Sequence, residues 1–149
     1  MTHLTEHFSI EEFERSDVAT RKGIDNTIPM SLRINVLHLA HMLEAIRQGC
    51  MTPLVISSGY RSPTLNALVG GSLSSAHMQA MAADITSPLY KPRELASRIA
   101  ALNLPLDQII LEFPDSPNGG WVHIGLSEKD ARRELLTINH GTGYMKGFV

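Results

Sequence analysis

The chain has one cysteine in 149 residues, which excludes a disulfide framework and a thiolate-rich structural zinc site. It has no excess of positive charge either. The formal net charge is −2, whereas a nucleic-acid binder usually carries a basic patch. Lys91, Arg93 and Arg98 are spread along one expected helix and read as a solvated face. No apolar run approaches the length of a membrane span. The start, Met1-Thr2-His3-Leu4-Thr5-Glu6-His7, lacks the basic and apolar regions of a secretory signal. The expectation is therefore synthesis in the cytoplasm, with any place outside the cell reached by another route. No repeat, linker or low-complexity segment is visible. What is present is ordinary globular composition, 43% hydrophobic and 19% charged. That length supports one domain, 1–149, with a core over about 8–138.

Ser9-Ile10-Glu11-Glu12 has the form of a capping box and predicts a short helix through Phe13. Residues 16–28 read as an irregular loop, marked by Gly23 and Asn26. From 31 to 48, Leu32, Val36, Leu39, Leu43 and Ile46 recur every three or four residues and predict one buried helical stripe, with Gly49 as its stop. Cys50 follows as a packing residue. Segment 54–58 reads as a buried strand, and Ser62-Pro63 opens a helix that ends at Gly70-Gly71. A central strand at 82–86 and an amphipathic helix from Lys91 come next. Segments 107–113 and 121–126 form a hairpin across a turn-rich link. Residues 133–139 add a strand, and the tail from Asn139 either joins as a last strand or stays loose. Early helices followed by closely linked strands indicate an α+β fold, an antiparallel sheet flanked by helices.

His77 and Asp84, seven apart among small and apolar residues, are answered by His123 in Trp121-Val122-His123-Ile124. A polar group in an apolar segment needs a partner, and three of them suggest a shared one. Two imidazoles and a carboxylate suit an open zinc site, and the same set can hold another divalent ion. Glu112, among apolar neighbours on the first hairpin strand, is the expected general base, placed opposite or diagonal to His123; Asp115 and Glu128 are the runners-up. Arg61, after a buried strand and a glycine turn, offers a guanidinium to a carboxylate or an oxyanion. His38 and His41 lie three apart on a helix with no third ligand in view. They read as surface or packing residues, His140 as a loop residue, and His3 and His7 as parts of a mobile terminus.

Three separated elements, in order, carry a resemblance. Ser58-Gly59-Tyr60-Arg61-Ser62, Ser75 to Asp84, and Trp121 to His123 resemble the zinc D-Ala-D-Ala carboxypeptidases and L-alanyl-D-glutamate endopeptidases of peptidoglycan, phage endolysins among them. The start Phe8-Ser9-x-x-Glu12-Phe13 is similar to small phage-borne members. The resemblance implies a Hedgehog/DD-peptidase-like fold and one Zn2+ held by His77, Asp84 and His123. It implies that Arg61 engages the substrate, a peptidoglycan stem peptide, with Ser75 helping to hold its backbone and Trp121 beside it. Glu112 resembles the glutamate preceding the last ligand strand, and water would attack directly, without an acyl-enzyme. The chain departs from the pattern twice. Gly120 stands where other branches carry the acidic base, and Ala80 stands where the pattern prefers glycine. A non-catalytic zinc module of the Hedgehog kind, or a virion structural protein, is the alternative, and the direction in which Glu112 points discriminates the two. The sequence carries no signal of oligomeric state or of which peptide bond is cut.

Overall fold

The computed structural model describes residues 2–149. Its first segment is pinned, which corrects the expected mobility around His3 and His7. Ile10 N donates to Thr2 O at 2.9 Å, and Leu4 N donates to Phe8 O at 2.9 Å. His7 N donates to Glu44 Oε1 at 2.6 Å, and its Nδ1 lies 2.9 Å from Glu44 Oε2. Helix α1, Ile10–Glu14, starts at the expected capping residue, with Ser9 N donating to Glu12 Oε2 at 2.7 Å. That cap turns Phe8 and Phe13 inward, where both are buried.

Residues 16–28 are not simply a loop. Helix α2, Asp17–Lys22, is capped by Ser16, whose Oγ accepts from Ala19 N at 3.2 Å, and closes on Gly23 at φ 66°. It buries only Ala19, so no apolar stripe announced it. Helix α3, Arg33–Cys50, buries Val36, Leu39, Leu43 and Ile46 as the spacing predicts. Gly49 does not stop it; Met51 does, in the left-handed region at φ 54°. Gly49 serves packing instead. A Cβ there would come within 2.7 Å of the Leu102 methyls, just beyond helix α5, Pro92–Ala101. Cys50 is free and buried, and burial pushes its thiol pKa up, as suits a packing role.

Helix α4 spans Pro63–Leu68, and six strands form one sheet. They are β1 Val55–Ser58, β2 Ala82–Thr86, β3 Gln108–Glu112, β4 Trp121–Gly125, β5 Glu134–Ile138 and β6 Met145–Lys146, in the order β1-β2-β4-β3-β5-β6. The pairings are antiparallel except β3 with β5, so the α+β sheet is mixed. The chain leaves β4 beside the start of β3 and begins β5 at that same end, which makes those two parallel. The tail joins through β6. β1 is an edge, with Val55 half exposed and Ile56 buried, rather than the fully buried strand expected.

Period-two alternation sorts the sheet into two faces. Ala83 and Ile85 of β2, Val122 and Ile124 of β4 and Ile109 of β3 join α3 and α5 in the core. The residues between them, Asp84, His123, Trp121 and Glu112, therefore look out from the opposite face. Beyond β4, Asp107 anchors the return to β5, its Oδ1 and Oδ2 accepting from Arg132 Nε and Nη2 at 3.0 and 2.9 Å. Those bonds from Arg132 hold the Asp107 carboxyl below its usual pKa. A depressed carboxylate stabilises the fold above its unfolded pKa and loses that contribution as pH falls through the folded one. Asp107→Asn is accordingly expected to lower the thermal midpoint at pH 7. The gap from the parent protein should close below about pH 4, the ordinary aspartate range, and a gap constant down to pH 2 would contradict the assignment.

Candidate active site

His77 sits in a single 3-10 turn, Ala76–Gln79, between α4 and β2. Ser75 Oγ accepts from His77 N at 3.2 Å and caps the turn. The His77 ring packs Nδ1 against Gly59 O at 2.6 Å, so Nδ1 carries the proton and Nε2 keeps its lone pair. Gly59 in turn presses on helix α1, where Tyr60 N donates to Phe13 O at 2.7 Å. A Cβ at residue 59 would meet Phe13 O at 2.7 Å. The N-terminal motif thus supports the carbonyl that fixes the His77 tautomer.

Nε2 of His77 is buried and has no hydrogen-bond partner. It lies 3.4 Å from Asp84 Oδ1, which also takes His123 Nδ1 at 3.0 Å. The register explains the meeting, because Asp84 and His123 are direct cross-strand partners on β2 and β4. Among the described residues, His77, Asp84 and His123 are the group able to hold a metal ion, their ligand atoms all within 4.8 Å of one another. An orphaned imidazole nitrogen beside a carboxylate and a second imidazole fits a divalent cation of the zinc type. Burial alone would raise the Asp84 pKa, but the hydrogen bond from His123 and the two imidazoles packed against the carboxyl outweigh it and hold it well below the usual range. Burial likewise works against a charged His123, and its bond to Asp84 overrides that and raises its pKa.

Glu112 ends β3 opposite Trp121, diagonal to His123. Its Oε2 accepts from Trp121 Nε1 at 3.1 Å and lies 3.7 Å from His123 Nδ1. Burial first, then the charge of Asp84, push its pKa up. Gly120 lies at φ +74°, and a Cβ there would stand 2.1 Å from Glu112 O. No side chain of any kind, acidic or otherwise, has room at that position.

Arg61 follows β1, and its N donates to His77 O at 3.1 Å, which ties it to the ligand turn. Two buried asparagines hold this loop, Asn26, which the sequence marks only as a loop residue, and Asn66. Asn26 Nδ2 donates to Tyr60 O at 2.9 Å, and its Oδ1 accepts from Ser62 N at 2.8 Å, bracketing Arg61. Asn66 Oδ1 accepts from Arg61 Nη1 at 3.1 Å. Asn66, between Leu65 and Ala67-Leu68-Val69, carries the signal of a polar group in an apolar segment, whereas Asn26 does not. Tyr144 lies in the glycine-rich tail. It is largely exposed, and its phenol pKa is raised by partial burial and by the charges of Glu112 and Asp84. His38, His41, Asp115 and Glu128 stand apart from the metal-binding group. His140 lies against Phe113, ring centroids 4.6 Å apart, and Phe113 against Trp121 at 5.3 Å.

Ala80 takes φ 55° between the first two ligands and is buried, the left-handed conformation for which glycine is preferred. Replacing it by glycine relieves about 1–2 kcal/mol of backbone strain. It also removes a buried methyl worth about 0.8 kcal/mol and adds about 0.5–1 kcal/mol of chain freedom to the unfolded state. These nearly cancel. Ala80→Gly should change unfolding free energy by less than about 1 kcal/mol; a denaturation experiment showing a loss several times larger would mean that the methyl matters more than the strain.

A groove is lined by Trp121, Arg61, Tyr60, Ser58, Arg15 and Asp17, and Trp121 links it to Glu112 through the indole N–H. Comparison with curated proteins gives no match. The family model for peptidase M15, however, matches residues 6–124. That span begins just before the helix that braces Gly59 and ends one residue beyond His123, so it contains His77, Asp84, His123, Glu112, Arg61 and Trp121. The chain belongs to the peptidase M15 family.

Proposed function

We propose that the protein is a zinc metallopeptidase that hydrolyses amide bonds in peptidoglycan stem peptides, as a D,D-carboxypeptidase or an L,D-endopeptidase. The carrying observation is the partnerless, buried Nε2 of His77, aimed at Asp84 and His123. His77, Asp84 and His123 are the residues that would hold the ion. When bound, the metal supplies a Lewis acid for the scissile carbonyl and lowers the pKa of water toward ~7. Glu112 takes the proton of the attacking water and passes it to the departing amine. Trp121 holds the Glu112 carboxylate by its indole N–H and forms one wall of the groove. Arg61 engages the substrate; with Arg15 it outweighs the single carboxylate of Asp17 in the lining and leaves the groove suited to a peptide bearing carboxylates. Ser75 acts on the ligand turn, through the His77 N–H.

The non-catalytic alternative requires a Glu112 turned to solvent. Its carboxylate instead lies against His123 and Trp121, which favours the enzyme. The similarity to small phage-borne members makes a phage-encoded, wall-cleaving enzyme the source we propose. No helix among the described residues is long and apolar enough to cross a membrane. The test is mass spectrometry of stem peptides after incubating zinc-loaded protein with purified peptidoglycan. New peptides that vanish with chelator support the proposal, and their masses identify the bond. Bound zinc without cleavage, across several peptidoglycan chemistries, would leave the binding module.

A further inference from the structure

We infer that Asn66 is a positioning residue that aims the Arg61 guanidinium into the groove, and that Gly71 lacks a side chain to leave room for that pair. The inference rests on the proposed role of Arg61 in engaging the substrate. Asn66 lies in α4 and is 2% exposed. Its Oδ1 accepts from Arg61 Nη1 at 3.1 Å, and its Nδ2 donates to Ser72 O at 2.9 Å. A buried amide carries a desolvation cost unless its groups are partnered. If the position needed only to be filled, an apolar side chain would fill it without that cost. Among the described residues no carboxylate lies within ion-pair distance of Arg61. A neutral amide therefore orients the guanidinium and leaves its charge for a carboxylate of the substrate. An aspartate at residue 66 would orient it and neutralise it together.

The two adjacent glycines separate the causes. Gly70 has φ +74° and open space around it, so it is there for the turn. Gly71 has no positive φ. A Cβ on it would stand 2.1 Å from Asn66 Oδ1 and 2.8 Å from Arg61 Nη1. What residue 71 must supply is space beside the Asn66–Arg61 bond.

The experiment compares kcat and KM of the zinc-loaded protein on a purified peptidoglycan stem peptide for Arg61→Ala, Asn66→Ala, Gly71→Ala and the two doubles with Arg61→Ala. Displacing a substrate-positioning group by about 1 Å costs on the order of 10- to 100-fold. Asn66→Ala and Gly71→Ala should each lose that factor in kcat/KM, mostly through KM, and lose nothing further when Arg61 is already alanine. Calorimetric binding of the same peptide to the Glu112→Gln protein should weaken by the same factor. Gly71→Ala, in a partly exposed loop, serves where Asn66→Ala does not fold. The same loss with and without Arg61 would reveal a purely structural role and overturn the inference, as would unchanged kinetics in both single variants. Unchanged kinetics in Arg61→Ala alone would instead remove the proposed role of Arg61, and this inference with it.

Discussion

Glu112→Gln should abolish turnover while leaving the metal in place. General acid–base catalysis by a positioned carboxylate contributes about 100- to 10,000-fold, and kcat should fall by that order. Glutamine has nearly the same shape, and its amide oxygen can still accept from Trp121 Nε1, which now donates to Glu112 at 3.1 Å. The three candidate ligands come from other residues, on the 3-10 turn, β2 and β4. Zinc content by mass spectrometry should stay at one ion per chain, while peptide release in the same sample disappears. A kcat within a few-fold of the parent protein would show that another group moves the proton. The runners-up give little cover for that outcome. Asp115 and Glu128 are both exposed and outside the cluster.

Gly120→Ala should unfold the protein far more readily than its place at the end of a turn-rich link suggests. The added Cβ would stand 2.1 Å from Glu112 O and 2.5 Å from Phe113 O. Both obstacles are backbone atoms, so no rotamer change relieves them. The residue also holds φ +74°, a conformation that strains a non-glycine residue by about 1–3 kcal/mol, and overpacking adds about 1–3 kcal/mol more. A loss of about 3 kcal/mol or more corresponds to a fall of roughly 10 °C in a domain of this size. Gly119→Ala is the control. It shares the positive φ, at +81°, but has nothing within 4 Å of its Cβ, so it should lose only the backbone part. Equal midpoints for the two variants would refute the steric argument. The same collision explains a departure in the sequence itself. With no room for a side chain at residue 120, the acidic group has to come from elsewhere, and Glu112, whose own carbonyl causes the collision, stands beside it.

Much of this was legible in the residues. The capping boundary at Ser9, the apolar stripe from Val36 to Ile46 and the hairpin on either side of 114–120 follow from local rules that need no tertiary contact. The peptidase family was carried by three motifs whose order and spacing are specific, and the same motifs hold the three residues that could bind a metal. Local rules failed where a residue answers to something distant in the chain. Gly49 resembles a helix stop because glycine often is one, yet Leu102 requires it. Helix α2 buries a single alanine, and so left no periodic trace. The partners of Asn26 and Asn66 exist only once Tyr60, Ser62 and Arg61 are folded onto them.

The sequence alone determined the chemistry available: which imidazoles, carboxylates and guanidinium the chain has, and which sit among apolar neighbours that demand a partner. Only the tertiary structure decided that β2 lies beside β4, setting Asp84 against His123, and that Glu112 falls diagonal to that histidine. Strand order and register arise from burying Ala83, Ile85, Val122 and Ile124 under α3 and α5, a sum over many weak contacts that no single motif encodes.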